Sequence, residues 1–305
     1  MNIVLLLFVC CVLAACNPAE QTNQNAETAI SGQAEVLCDA EVVNLIQPAQ
    51  RLFDSVTPKA TITLVPVPAN EAVLQLMQHK ARAIVVARDW FPEERQEAEA
   101  TKGDDGYPRT LIARDALVFY ANKDFPYDTM HADHIREWVR TGKFPLSSYP
   151  QLKKKPILIV PGSASSVYGN LRTVVLNGTE PCTDCIHSLG TTDSVKAGVH
   201  GNVHYIGVGY LSGLVRDTSV KMLRLSWTDS TGQYQFPRLV HAGNLVQGLY
   251  PFPVPIYVVL RDRANQYSLP SGFALYLARD GKAQRSFFDA GIEPGFAKIV
   301  IHTPE

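Results

Sequence analysis

The chain has 305 residues, 46% of them hydrophobic, with a formal net charge of -1 at pH 7 and a pI of about 6.7. This length and apolar content suit about two ordinary domains with buried cores. The charge excludes a basic field able to hold nucleic acid, so no nucleic-acid partner is expected, and no internal repeat is present.

The first sixteen residues, MNIVLLLFVCCVLAAC, are apolar from Ile3 to Ala15 and fall short of the about 20 residues that a membrane span needs, so they read as an export signal. The signal has no Lys or Arg before its apolar run. Residues 17–33 are polar, rich in Asn and Gln, with Ile30 alone as a large apolar residue, and read as a flexible tether. Of the six cysteines, Cys10 and Cys11 lie in the signal and Cys16 ends it. In an oxidising envelope Cys182 and Cys185 close the short loop PCTDC, or one of them pairs with Cys38. This C-x-x-C follows a helical stretch and Asn177-Gly178, which favours a structural staple over a redox centre. His187 supplies no second ligand pair for zinc, so neither a metal nor a cofactor is expected.

From Ala34 onward, short apolar runs alternate with amphipathic segments, the pattern of an α/β protein. AEVLC (34–38) predicts a strand leading into the helical EVVNLIQPAQRLFDSV, and TITLVPV (61–67) predicts the next strand. Asn70 is expected to cap the helix EAVLQLMQHK, where Ala72, Val73, Leu76 and Met77 share a face. ARAIVVA (81–87) predicts a third strand, followed by Arg88-Asp89 and the charged helix PEERQEAEATK. Strand, helix, strand, helix, strand implies a parallel sheet with right-handed crossovers. Ligands of such sheets sit at the carboxyl ends of the strands, which gathers Cys38-Asp39, residues 68–70 and Arg88-Asp89 at one rim.

A second unit begins near Arg114 with strand ALVFY and helix HADHIREWVRTG, and KPILIV then delivers the chain into PGSASSVYGN. The serines of that turn are explained either by helix capping or by a bound anion. VHYIGVGYL and KMLRLSW read as further strands, and PFPVPIYVVLRD with one long amphipathic helix, residues 271–291, as a strand and helix that rejoin the first unit. The expected division is a first lobe of residues 34–113 plus 250–305 and a second of 114–249.

The order of these segments resembles the phosphate-binding-protein-like branch of the bacterial substrate-binding proteins that serve ABC transporters. The similar stretches are RDALVFYANKDFPYDTMHADHIREWVRTGKF, VHYIGVGYL, YPFPVPIYVVL and SGFALYLARDGKAQRSFFDAGIEP, which together span nearly all of the chain after Ala34. The resemblance implies a two-lobed periplasmic-binding-protein fold of type 2, each lobe a mainly parallel sheet flanked by helices, with a hinge and a cleft between them. Leu13-Ala14-Ala15-Cys16 is similar to a bacterial lipobox, which implies a lipid on Cys16 and anchorage to a bacterial membrane on its periplasmic side.

The family's anion loop falls on Gly162, Ser163, Ala164 and Ser165, with Ser166 adjacent, and such hydroxyls and amides replace the hydration that a bound oxyanion loses. Where phosphate-specific members carry an arginine four positions before the first serine, this chain has Ile159. Arg88 is the expected substitute and Arg114 a weaker one. Asp89 falls where the family's carboxylate accepts the proton of hydrogen phosphate, Asn70 where the family has a serine or glycine, and Asp39 and Glu41 in the first rim loop. The implied function is capture of a small oxyanion, inorganic phosphate first, by a monomer that hands it to ABC permease subunits without catalysing a reaction. Ile159 and the acidic first loop favour an alternative, an envelope binding or sensing module of the same fold with a different ligand or none. A serine hydrolase is not expected, because PGSASS does not form a G-x-S-x-G elbow.

Overall fold

The computed structural model describes residues 27–103, 106–262 and 267–296. The signal, Cys16 and tether residues 17–26 lie outside the described residues. The remainder of the supposed tether is docked: Glu27 grips Arg82 through two hydrogen bonds and accepts from the Leu269 amide, and strand β1 (Ser31–Asp39) already begins at Ser31.

Apolar runs and amphipathic segments build the first half in the predicted alternation. Helix α1 (Val43–Val56) buries Val43, Ile46, Ala49 and Phe53, strand β2 (Lys59–Val67) follows, and helix α2 (Ala69–Met77) buries Ala72, Val73 and Leu76. Strand β3 (Ala83–Val86) is buried throughout, and in helix α3 (Pro92–Lys102) only Ala98 is buried, as its charged sequence dictates. β1 pairs in parallel with β2 and β3.

Strand β4 (Arg109–Ala121) is longer than the ALVFY run, and it joins two half-sheets. The second half contains β5 (Thr129–His131), α4 (Ala132–Thr141), β6 (Ile157–Val160), α5 (Ser166–Asn170) with a π turn over residues 171–175, β7 (Ile186–Ser188), α6 (Thr192–Gly201), β8 (Tyr205–Tyr210) and α7 (Leu211–Leu214). The KMLRLSW run divides into β9 (Lys221–Met222), which pairs with β4, and β10 (Arg224–Thr228), which joins β5 and β11 (Tyr234–Arg238) in a separate three-stranded sheet. Helix α8 (Ala242–Val246) leads to β12 (Pro253–Leu260), which is antiparallel to both β3 and β4.

The long C-terminal helix expected over residues 271–291 is two helices, α9 (Leu269–Arg279) and α10 (Gly281–Asp289). Asp280 is extended and accepts from the Lys282 and Ala283 amides, so one carboxylate ends the first helix and caps the second. β13 (Glu293–Pro294) then pairs with β4.

The large sheet runs β2-β1-β3-β12-β4-β8-β6-β7. Residues 109–116 of β4 pair with β12 and residues 117–121 with β8, so the first lobe passes into the second within a single strand. In each lobe three parallel strands carry the rim loops; β12 runs against those of the first lobe and β4 against those of the second. Tyr120 lies on β8 so closely that a Cβ at Gly207 would sit 2.5 Å from its ring, which is why a glycine interrupts this strand.

Candidate functional site

The carboxyl ends of the parallel strands of both lobes converge on one cavity of about 820 Å³. Its first-lobe wall includes Asp39, Glu41, Asn44 and Pro68, and its second-lobe wall includes Gly162, Ala164, Ser165, Thr191, Thr192 and Ser212. Such a volume lies in the usual range of about 300–1,000 Å³ for small-molecule sites. Pro48 also lines it, inside α1, where its missing N–H leaves the Asn44 carbonyl without a helical donor.

Contacts at and beside the cavity tie the lobes together. Thr192 donates to the Glu41 carboxylate, the Asn70 amide donates to the Ala164 carbonyl at 3.1 Å, and Asn170 Nδ2 donates to the Ala87 carbonyl at 2.6 Å. Arg172 makes a two-pronged pair with Glu93 at 2.6 and 2.9 Å. Gly169 permits the close seating of α5 on the first lobe, since a Cβ there would lie 2.9 Å from Arg88 Cδ.

The candidate residues fall into two groups. Asp39, Ala164 and Ser165 line the cavity, and Ser166 lies buried beside Asp39. Ser165 Oγ accepts from the Tyr168 amide and so caps α5. Ser163 is exposed and is not part of the lining. Asn70 is not a cap: Pro68 precedes α2 and the Asn70 side chain lies within its first turn, with Oδ1 buried and unpartnered among the described residues.

Arg88 does not offer its charge to the cavity. Its fully buried guanidinium meets Glu94 in a two-pronged pair at 2.7 and 2.6 Å and stacks over Phe91. Glu94 also accepts from the Phe91 amide at 2.8 Å, which closes the first turn of α3. Asp89 turns toward Arg109 at 2.8 Å, Arg95 and the Trp90 amide, while Arg114 pairs with Glu293. Cys182 and Cys185 form a disulfide, and Cys38 is a buried free thiol.

Asp39 is fully buried. One carboxylate oxygen accepts from the Glu41 amide at 3.1 Å, the other accepts from the Ala87 amide at 3.2 Å, and the Ser166 hydroxyl lies beside the carboxylate and favours its charged form. Burial raises the Asp39 carboxyl above its ordinary range, with these three groups and nearby Arg88 opposing the rise. Glu41 is also raised, by burial first, then by Asp39 and Asp193, against the Thr192 hydroxyl. The charged lining comprises Asp39, Glu41, Asp193 and Asp289 with Lys196 and Arg216. Both cations are engaged: Lys196 with Asp217 and the Gly213 carbonyl, Arg216 with the Asp289 carbonyl at 3.0 Å.

Several site residues escaped the sequence reading. Tyr210 Oη lies 2.7 Å from Ser166 Oγ and 2.8 Å from Asn170 Nδ2, joining the end of β8 to α5. The rule that rim residues follow strand ends points to Tyr210, as Gly190-Thr191-Thr192 before an amphipathic helix points to the opposite wall. Lys196 and Arg216 carry no such signal.

No protein-family model and no curated protein sequence matches this chain. Among solved structures, a candidate phosphate ABC transporter substrate-binding protein with bound phosphate from Clostridium perfringens superposes with a TM-score of 0.70 at 14% identity, over 86% of this chain and 99% of that one. An ABC-type phosphate transport receptor from Vibrio cholerae gives 0.66 at 12% identity, over 86% and 100%. A cysteine mutant of OxyR from Corynebacterium glutamicum gives 0.54 at 12% identity, over 94% and 72%, so proteins of different name share the architecture and it does not by itself specify a ligand. The chain has the two-lobed α/β fold of the ABC-transporter substrate-binding proteins.

Proposed function

We propose that this protein is an exported, lipid-anchored solute-binding receptor that holds a small polar solute between its lobes and presents it to an ABC permease. The observation that carries the reading is the cavity of about 820 Å³ at the meeting of both sets of strand ends, in a fold whose lobes are joined through β4 and β12. Binding is coupled to movement about this junction, between Ala116 and Leu117, and no covalent chemistry is assigned to the site. Lipid attachment at Cys16 supplies the membrane contact; among the described residues no helix is long and apolar enough to cross a membrane.

Charge selects the class of solute. Four carboxylates face two cations in the lining, Lys196 is already paired with Asp217, Arg216 donates to the Asp289 backbone carbonyl, and Arg88 is committed to Glu94. A dianion meets like charge here, at a cost that complementary sites avoid. These features favour a neutral or cationic polar solute over inorganic phosphate, the ligand that the resemblance implies.

The test is thermal unfolding of the mature protein against amino acids, polyamines, sugars and inorganic phosphate, with small-angle scattering on any solute that stabilises it. A true ligand at about 100 times its Kd adds about 2.7 kcal/mol and is expected to make the molecule more compact. If no solute raises the Tm, the receptor reading fails; if phosphate alone does, the receptor stands and the charge argument fails.

A further inference from the structure

We propose that the Asp39 carboxylate is a resident anion: it occupies the oxyanion subsite of the cleft and thereby excludes phosphate from this protein. The inference rests on the cleft being a solute site, as set out above, and it assigns the specificity of that site to one residue.

The geometry is that of a bound oxyanion. The carboxylate is fully buried, and its donors come from three separate elements: the Glu41 amide in the loop after β1, the Ala87 amide at the end of β3, and the Ser166 hydroxyl at the head of α5. The first two belong to one lobe and the third to the other, so the anion is clasped from both sides, as a captured solute is. The Tyr210 hydroxyl lies 2.7 Å from Ser166 Oγ and 3.1 Å from the Ala87 carbonyl; donating its one proton across the shorter contact leaves the serine proton free to turn toward Asp39. Asn170 supports Tyr210 and fastens to the Ala87 carbonyl, which fixes the same strand end whose amide holds the carboxylate.

A carboxylate and a phosphate present the same negatively charged acceptor oxygens, and donors of this kind serve either. A single set cannot serve both at once. An incoming phosphate has either to displace a side chain tethered to the backbone beside it, whose effective concentration is high, or to stand next to its charge in a water-poor cleft. Glu41 adds a second carboxylate at the same place. Sequence alone shows Asp39 only as an acid near a rim; the donors that make it a ligand surrogate come from residues 87 and 166.

The test is calorimetric titration of inorganic phosphate into the wild-type mature protein, Asp39→Ser, Asp39→Asn and Glu41→Gln, each first shown to be folded by circular dichroism. Asp39→Ser empties the donor set and is expected to bind phosphate about tenfold or more tightly than wild type, the scale of one charge-assisted hydrogen bond. Glu41→Gln removes an equal charge but leaves the donors occupied, and its gain is expected to be smaller. Asp39→Asn keeps the side chain's size without its charge and serves if the serine variant is unfolded, with an expected gain of about threefold. Phosphate binding by wild type as tight as by the Asp39 variants overturns the inference, and so does an equal gain from Glu41→Gln, which reduces the effect to the general field. Failure of the receptor reading is distinct: phosphate gained by Asp39→Ser, in a protein whose wild-type form responds to no solute, upholds the resident anion and rejects solute capture.

Discussion

The two walls of the cleft are built on different electrostatic terms. On the first-lobe side the loops after β1 and β3 bury charge outright: Asp39 is fully enclosed, and Arg88 is enclosed with Glu94 as its partner. On the second-lobe side the charged Asp193, Lys196 and Arg216 stay at least partly exposed, and the loop after β6 offers neutral groups, with Ser165 spent on capping α5 and Ser166 beside Asp39 and Tyr210. Neutral hydroxyls and exposed charges tolerate many partners, whereas enclosed charge must bring its partners with it. The first lobe has done so from its own sequence for Arg88 and with Ser166 of the other lobe for Asp39, and in consequence its cation is unavailable to a ligand and its carboxylate has taken the donors that a ligand anion needs.

The comparison is tested most severely by Glu94→Ala, which leaves the Arg88 guanidinium enclosed without its carboxylate partner. A loss of about 3–5 kcal/mol in urea-unfolding stability is expected, and a loss below about 1 kcal/mol would mean that the pair is effectively solvated and the two walls are alike.

Asp115 sharpens the contrast at the crossing between lobes. Its carboxyl is fully buried and is pushed up from 3.8 to about 6, by desolvation against hydrogen bonds from the Ser212 hydroxyl and from the Ala116, Ser212 and Leu211 amides. Because the folded value lies above the unfolded one, the folded state holds the proton more tightly, so ionising Asp115 destabilises the fold. Its contribution is fully present below about 3.8 and is lost as pH rises through about 6. Asp115→Asn is therefore expected to gain stability relative to wild type between about pH 4 and pH 7, approaching about 3 kcal/mol at the upper end. A difference between the two proteins that does not change with pH would show that the carboxyl does not titrate in this window.

The smallest effect belongs to the neutral loop after β6. Ser165→Ala removes the cap of α5, at about 1 kcal/mol, read as a shift in the urea midpoint. A loss as large as that of Glu94→Ala would place Ser165 in the charged network rather than at a simple helix end.

Much of the fold was legible in the chain. Apolar runs at 34–38, 61–67 and 81–87 with amphipathic segments between them specify β1, β2 and β3 and their parallel order; β3 is buried on both faces, while β2 and the start of β1 bury alternate residues. The breaks were harder to see. Residues 271–291 have helical periodicity throughout, and only the backbone at Asp280 divides them. KMLRLSW reads as one strand because periodicity does not report that Leu223 turns the chain from β4 toward β5. At the cavity stand Asp39, Ala164, Ser165 and Ser166, which strand ends, turn chemistry and the family resemblance pointed to. Arg88 and Asp89 stand at the expected rim but face inward and sideways, since a side chain's direction depends on partners distant in sequence, here Glu94 and Arg109.

The sequence by itself determined which segments are strands and helices, their parallel order, and that acids and serines would stand at the rim between two lobes, because these follow from periodicity and local turn chemistry. Only the tertiary structure decided who holds whom. The Ala87 amide, the Ser166 hydroxyl and Asp39 are brought together from residues 48 and 127 positions apart, and hydrogen bonding acts over about 3 Å in space with no regard to separation along the chain.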